Sequence, residues 1–523
     1  MGGGMQALAP VAADPFAEAQ RRFAALIDRL GTEEAHAMTH SELEREIEAK
    51  GRELLRSLLQ GHLELRSPGE ASAPVRDAEG QERNERRVHA RSLATVFGTV
   101  EVERLGYGAE GAESLHPLDA ELNLPPERYS HELRRRAAVE VAKGSYDEAT
   151  AALAAATGTA VPKRQLEELA ERAAQDFDAF YAQKSGGAEA TGPLLVLTVD
   201  GKGVVMRRED LRPATQKAAE RRRPKLSRRL SPGEKRNAKR MATVAAVYTV
   251  TPFVRTPAEV AGTLAPAHGA ARGKRPRPEA KRVWASLEKD PQKVIEEAFQ
   301  EALRRDPHRR KRWVALADGA EHPLRLLRRA ARRHRVELTL VLDLVHVSEY
   351  LWKAAPVFCP EPTPERDAWV SRRLLNILQG YASQVAGGIR RSATLRGLTP
   401  EQRKPADTCA DYLLKYAPYL RYDQYLAAGL PIATGVIEGA CRHLVKDRME
   451  LTGARWSLAG AEAVLRLRAL RGSGDFDDYW RFHEAQEYRR NHQTRYADHH
   501  VPPTQPPARR TPPKAGPHLK ILK

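Results

Sequence analysis

PLLVLTVDGKGVVMRR, residues 193–208, decides how this chain is read. A continuous apolar run reaches an acid, Asp200, turns at Gly201 and resumes. Unbroken apolar runs of this length suit a strand covered on both faces. An acid at the end of such a strand is held at a sheet edge, where a ligand can approach. Two later stretches repeat the design. WVALADGAEHPLRLLRRAARRHR (313–335) reads as a short strand, the acid Asp318, a glycine turn and a basic helix. VELTLVLDLVHVSEYLWKAA (336–355) reads as strand, the acid Asp343 and helix, with His346 one helical turn beyond the acid. Strands alternating with helices predict an α/β sheet. MATVAAVYTVTPFV (241–254) adds a strand pair by its β-branched content.

The sequence on either side is different in kind. Residues 1–90 read as a polar, mainly helical region, with Leu54, Leu55, Leu58 and Leu59 at helical spacing and a charged loop over 68–90. LATVFGTVEVERLGYG (93–108) alternates apolar and polar around Gly98 and predicts a β-hairpin. LHPLDAELNLPPERYS (115–130) reads as an extended connector. Three helices then follow, ending at Gly144, at Gly158 and beyond Pro162. Short helix, glycine turn and longer helix is the helix-turn-helix layout, with Lys163 and Arg164 opening the recognition helix; a plain helical bundle has the same pattern. The region 91–183 is therefore assigned to DNA binding. KSGGAEATG (184–192) marks a boundary, and a sheet-bearing core is expected over 192–355.

Two basic stretches interrupt that core, 207–240 and 265–282. The first contains Arg221, Arg222, Arg223, Arg228 and Arg229, and both read as surface loops facing an anionic partner. VWASLEKDPQKVIEEAFQEALRRD, which follows, reads as helical. Residues 356–430 read as a helical insertion, 431–490 as the helices that complete the core, and 491–523 as a disordered basic tail.

Composition narrows the chemistry. The chain has 523 residues, enough for two or three domains. With 86 Lys and Arg against 68 Asp and Glu, the net charge of +18 calls for a polyanion. Nucleic acid is the first candidate and an acidic membrane surface the second. The three cysteines have no paired spacing, which argues against a disulfide framework and a zinc finger. No apolar run is long enough to cross a bilayer, and the opening residues lack the pattern of a signal peptide. A cytoplasmic protein associated with the nucleoid is expected.

Three acids then stand out: Asp200, Asp318 and Glu438, the last early in a helix within ATGVIEGACRH. Two-metal phosphodiester chemistry needs bridging oxygens on cations about 3.5–4 Å apart. Mg²⁺ takes oxygen ligands and keeps several waters, so few carboxylates suffice. Asp-Gly pairs also begin ordinary turns, and Glu438 could simply answer the helix dipole. Asp343 is the alternative second acid; otherwise Asp343 and His346 support the site from behind. In a ribonuclease-H-like order the second acid closes the fourth strand, which Asp318 does. Arg442, Lys446, Arg448 and Arg455 follow Glu438 and could hold a phosphate backbone. Trp456 beside them could stack on a base or pack in a core.

At these residues the chain resembles a known family. GVIEGACRHLVKDRMELTGARWSLAGAEAVLRLRAL (435–470) is similar to the C-terminal block of bacterial insertion-sequence transposases of the DDE type, ISKra-type group. LTVDGKGVVMRRED, WVALADGAEH and VLDLVHVSEYLWKA resemble the preceding blocks, and the likeness spans roughly 90–480. The resemblance implies a ribonuclease-H-like mixed-sheet core with a helical insertion and a mainly helical N-terminal DNA-binding region. It implies Mg²⁺- or Mn²⁺-dependent cleavage and strand transfer, two ions held by Asp200, Asp318 and Glu438, and binding to terminal inverted repeats and target DNA. Assembly as a homodimer or higher oligomer on DNA is implied as well. The alternatives are a catalytically silent domesticated DNA-binding protein and a ribonuclease-H-like junction nuclease.

Overall fold

The computed structural model describes residues 14–184, 191–220, 238–264, 275–451 and 453–505. The structure is mixed α/β, and the chain divides into two compact units. One holds the described residues up to Asp176 together with those from Asp477 onward; the other is Phe177–Phe476. The division differs from the one expected. The first crossing precedes the 184–192 linker, because Phe177, Phe180 and Tyr181 are buried in the second unit and Arg282 stacks 3.5 Å over the Tyr181 ring. The second crossing lies inside the helix Phe476–Asn491. There Tyr479 Oη donates to Ala173 O at 2.6 Å and Glu487 pairs with the buried Arg134 at 2.8 Å.

In the first unit the long helix His40–Arg66 starts at a capping box of Thr39 and Glu42. Its Leu63 joins Leu93, Val100, Val102 and Leu124 in one core. Four strands follow: β1 (Glu70–Ala71), β2 (Glu85–Thr95), β3 (Gly98–Ala109) and β4 (Ala112–Leu115). β2 and β3 form the expected hairpin, with Arg91 opposite Val102 and Thr95 opposite Gly98. It begins earlier than the sequence suggested, since the start of β2 lies inside the expected loop; so does β1, which pairs outside the hairpin. The outer half of β2 is exposed and polar, so it has no apolar run to announce it. The expected connector contains a short helix, Pro117–Glu121. Helices His131–Lys143, Tyr146–Thr157 and Lys163–Ala173 lie where the spacing predicted them, and Gly158 closes the second at φ +67°.

The tail expected to be disordered is ordered as far as it is described. Residues 493–505 form two short turns and a strand, Thr504–Gln505, antiparallel to β1. The anchor is Tyr496, buried against Val75, Tyr107 and Leu115, an aromatic whose partners lie too far away in sequence to be inferred. Residues 506–523 lie outside the described residues.

The second unit is built on five strands: β5 (Leu194–Val205), β6 (Lys239–Val250), β7 (Glu279–Ser286), β8 (Arg312–Ala317) and β9 (Leu338–Leu342). Their order is β7-β6-β5-β8-β9. β7, β6 and β5 run antiparallel, and β5, β8 and β9 run parallel. β5 does not stop at Asp200. Its parallel pairing with β8 ends at Thr198 opposite Leu316, while its pairing with β6 continues to Val205. The expected strand pair over 241–254 is one strand, β6. Its neighbour β7 falls across the end of the expected 265–282 loop and the start of the expected helix. Val283, Trp284 and Ala285 are buried there, and the helix begins only at Pro291, capped by Asp290. The helices Glu321–Arg333 and Leu344–Phe358 follow β8 and β9, and 364–427 is helical as expected.

Candidate active site

The ends of β8 and β9 carry carboxylates, β5 carries one where its pairing with β8 has stopped, and a helix adds another. Asp200 sits where β5 leaves β8 and continues beside β6 alone. Its Oδ1 accepts from the Gly201 N–H at 2.6 Å, and its Oδ2 accepts from Cys441 Sγ at 3.2 Å. Asp318 is the first residue beyond β8, partly exposed, with Oδ1 accepting from the Ala320 N–H at 2.8 Å. Gly319 needs its identity: φ is +94°, and a Cβ there would stand 2.9 Å from Tyr412 Oη. Tyr412 Oη in turn donates to the Asp318 carbonyl at 3.3 Å.

Asp343, the first residue beyond β9, is wholly buried and caps the helix Leu344–Phe358. It accepts from the Val345 N–H at 3.0 Å, meets His346 Nδ1 at 3.1 Å and accepts from Thr434 Oγ1. Thr434 opens the helix Gly435–Ala440, and the Glu438 N–H donates to its carbonyl at 3.0 Å. Asp343 thus ties the sheet to the helix that presents Glu438. Beyond Ala440 the ladder widens into a π segment, Cys441–Lys446, a distortion that recurs at functional sites.

The charges of these groups bear on one another. The Glu438 carboxyl is held above its ordinary range, first by burial, then by Asp343 and also by Asp200 and Glu349, with His346 opposing. His346 is raised to about 8, first by its hydrogen bond to Asp343, against burial, and then by the charges of Asp343, Asp318 and Glu349. Burial first and Asp200 second push the Cys441 thiol up. Carboxylates therefore gather around one protonated imidazole. Among the described residues no three of these acids bring ligand atoms all within 4.8 Å of one another. A single ion gripped by every acid would need that closeness; a pair of hard ions sharing one acid tolerates a wider spread. The donor set is oxygen, as Mg²⁺ or Mn²⁺ prefers, and the mutual repulsion around Glu438 is of the kind a cation relieves.

The basic side chains divide. Arg442, Lys446 and Arg455 are exposed after Glu438. Arg448, expected to touch DNA, is buried, and Trp456 takes the core place that was its alternative: the guanidinium stacks 4.7 Å over the indole. Trp456 extends the edge of β5, its N–H donating to Val205 O at 3.1 Å and its carbonyl accepting from the Arg207 N–H at 2.7 Å. These two residues are interior because backbone pairing draws the Trp456 segment onto the sheet. In the first unit Lys163 pairs with Asp147 at 3.0 Å and Arg164 with Glu168 at 3.4 Å, both at the surface. Their helix also carries Glu167, Glu168, Glu171 and Arg172, so its formal charges cancel. Arg221, Arg222, Arg223, Arg228 and Arg229 lie outside the described residues.

Sequence reading did not single out Cys441, Thr434 or Tyr412. Cys441 was reachable, since it lies three residues after Glu438 on the same helical face. Thr434 and Tyr412 act through contacts that only the tertiary structure reveals. A tight group of ligand-type side chains, Asp176, His483 and Glu487, lies buried in the first unit. Its acids already have partners: Arg490 and His483 on Asp176, Arg134 and Arg490 on Glu487. It is an internal ion-pair network in which guanidinium groups take the place of an ion. No family model matches the chain, and no curated protein matches it.

Proposed function

We propose that this chain is a DNA transposase of the DDE type, with a ribonuclease-H-like core formed by the five-stranded sheet. The observation that carries the reading is the meeting of Asp200 with the Glu438 helix through Cys441, beside Asp318 and Asp343. Acids from separate parts of the chain, one within β5, two just beyond β8 and β9 and one in a helix, are gathered although their repulsion is costly. Such a gathering is retained where it binds cations. The strand order, with β6 antiparallel and β8 and β9 parallel to β5, supports the same core.

We take Asp318 as the second acid, because Asp343 is wholly buried and both its oxygens already accept hydrogen bonds. Two Mg²⁺ or Mn²⁺ ions, held by Asp200, Asp318 and Glu438, would supply acidification of the attacking oxygen and charge neutralisation at the leaving 3′ oxygen. The chain's own residues do the rest. Asp343 orients Thr434 and with it the Glu438 helix. His346 holds a proton beside the acids and offsets part of their charge. Arg442, Lys446 and Arg455 bind phosphates without reading bases. Terminal inverted repeats, target DNA and a second copy of the chain are the partners this reading requires.

The test is cleavage of linear DNA carrying the sequences that flank the gene, with Mg²⁺ or Mn²⁺ supplied. Single changes Asp200→Asn, Asp318→Asn and Glu438→Gln should each lower strand cutting by on the order of 10³-fold or more, with the fold retained. Cutting by Asp200→Asn at the rate of the unaltered chain would overturn the proposal. Equal cutting of branched junctions of unrelated sequence would assign the core to a junction nuclease instead.

A further inference from the structure

A small polar cavity in the first unit stands apart from these acids. Arg91 from β2, His116 before and Asp119 within the helix Pro117–Glu121, and Asn491, His492 and Arg495 from late in the chain enclose about 60 Å³. That is space for roughly four waters, enough for one tetrahedral oxyanion and too little for a nucleotide. The walls are fixed. Arg91 Nη2 donates to Pro125 O at 3.0 Å, His492 Nε2 to Leu124 O at 2.9 Å, and His116 Nε2 meets His89 Nδ1 at 2.9 Å. Gly106 makes room for that histidine pair; a Cβ there would come within 2.8 Å of His89.

Three arginines face one buried carboxylate. Asp119 Oδ2 stands 2.9 Å from Arg104 Nε and 3.6 Å from Arg91 Nη1. Asp119 is 7% exposed, and its Oδ1 accepts no hydrogen bond from the described residues. Arg104 Nη1 is likewise buried without a partner among them. Arg495 pairs at the rim with exposed Glu113 at 3.3 Å. The excess of positive charge is felt by the histidines. His116 is lowered to about 3, by burial first and then by Arg104, His89, Arg495 and Arg91. His492 is lowered too, by burial first, with Arg495 and Arg91 adding to it. Such a field favours an anion. The open Asp119 oxygen adds a second demand, a ligand that can also donate a proton.

We propose that this cavity binds a phosphate bearing a P–OH group, with Arg91 and Arg495 taking the charge and Asp119 Oδ1 accepting the P–OH hydrogen bond. Sulfate has the same shape and no proton to give at neutral pH, so it would set its lone pairs against the carboxylate. Hydrogen phosphate keeps an OH at neutral pH. A phosphate monoester keeps one only near or below its second pKa of about 6.

The full chain is titrated calorimetrically with inorganic phosphate and with sulfate at pH 7.5 and matched ionic strength. Saturable binding of one phosphate is expected, with sulfate at least about tenfold weaker, the loss of one charge-assisted hydrogen bond. Arg495→Gln, at a partly exposed side chain, should weaken phosphate about tenfold without lowering the melting temperature. Asp119→Asn should bring phosphate and sulfate together; should that variant not fold, the Arg495→Gln and sulfate results decide. No phosphate binding, equal binding of sulfate, or unaltered binding by Arg495→Gln would each overturn the proposal. Methyl phosphate binding at pH 5.5 and not at 7.5 marks a monoester as the source, and its exclusion at both marks the free ion.

Discussion

Cys441 Sγ donates to Asp200 Oδ2 at 3.2 Å, linking the π segment beyond Glu438 to the strand that carries the first acid. Mg²⁺ does not favour sulfur ligands, and burial with the Asp200 charge keeps this thiol protonated. Its role is therefore that of a neutral donor that orients Asp200. Cys441→Ser keeps a donor and should cut DNA within a few-fold of the unaltered chain. Cys441→Val keeps the bulk and loses the donor; cutting should fall about tenfold and need more Mg²⁺. Steady-state cutting against Mg²⁺ concentration checks this, and identical curves for Val and Ser would remove Cys441 from the site.

Glu438 bears the cost of the gathered acids. Its folded pKa is raised by burial, Asp343 and Asp200, so its ionised form is disfavoured by folding. The sign follows: the destabilisation is present above the folded pKa and is relieved as pH falls through it. At pH 7.5 without metal, Glu438→Gln should melt at or above the unaltered chain. Mg²⁺ at about 100 times its dissociation constant should stabilise the unaltered chain by about 2.7 kcal/mol. The same Mg²⁺ should stabilise Glu438→Gln and Asp200→Asn far less. Thermal melts with and without Mg²⁺ read this directly, and equal Mg²⁺ shifts in all three chains would show that these acids are not ligands.

What the sequence made legible was local. Apolar runs closed by an acid located β5, β8 and β9, and a helix with its acid near the start located Glu438. These signals need no knowledge of distant contacts. β7 was hidden because Arg282, Val283 and Trp284 follow a basic stretch and gain their core face only by pairing with β6. Arg448 looked like part of a nucleic-acid surface because the residues around it are basic, and the sequence left Trp456 between a base and a core; pairing with β5 puts both in the interior. The three acids were named by placement, whereas the supports behind them, Cys441 and Thr434, depend on how separate elements meet.

A buried ion cluster that joins β7 to the helix behind it should govern acid stability. Glu301 accepts from Arg282 Nη1 at 2.7 Å, Arg304 Nη2 at 2.6 Å and Arg305 Nε at 2.7 Å, joining β7 to the helix Pro291–Arg305. Burial, the largest influence, pushes its carboxyl up; the charges of Arg282 and Arg305 and the hydrogen bonds outweigh it, and the carboxyl falls to about 2 from 4.5. A depressed acid adds stability that is present above the unfolded pKa and lost as pH falls through the folded one. The window is therefore pH 4.5 down to about 2, and the contribution is of order 3 kcal/mol. Glu301→Gln should lose about that much at pH 7 and show a flatter decline on acidification. Denaturant titrations from pH 7 to 3 test it; parallel profiles would show that other carboxylates set the acid limit.

The link from Asp343 to Thr434 makes the sharpest prediction about the site. Asp343 is wholly buried, so each hydrogen bond to it offsets lost hydration. Val345 N–H and His346 come from its own helix, whereas Thr434 is the donor that reaches across to the helix bearing Glu438. Thr434→Val preserves shape and removes the donor. The buried oxygen is left short, at a cost of about 1–3 kcal/mol, and the Gly435–Ala440 helix loses its tether. Cutting should fall by roughly tenfold or more, with a raised Mg²⁺ requirement and little change in DNA affinity, since no phosphate contact is touched. Thr434→Ser restores the donor and should restore both rate and Mg²⁺ dependence. A purely structural role would lower stability in Thr434→Val while leaving the Mg²⁺ dependence of the folded fraction unaltered, and that result would separate Asp343 from the positioning of Glu438.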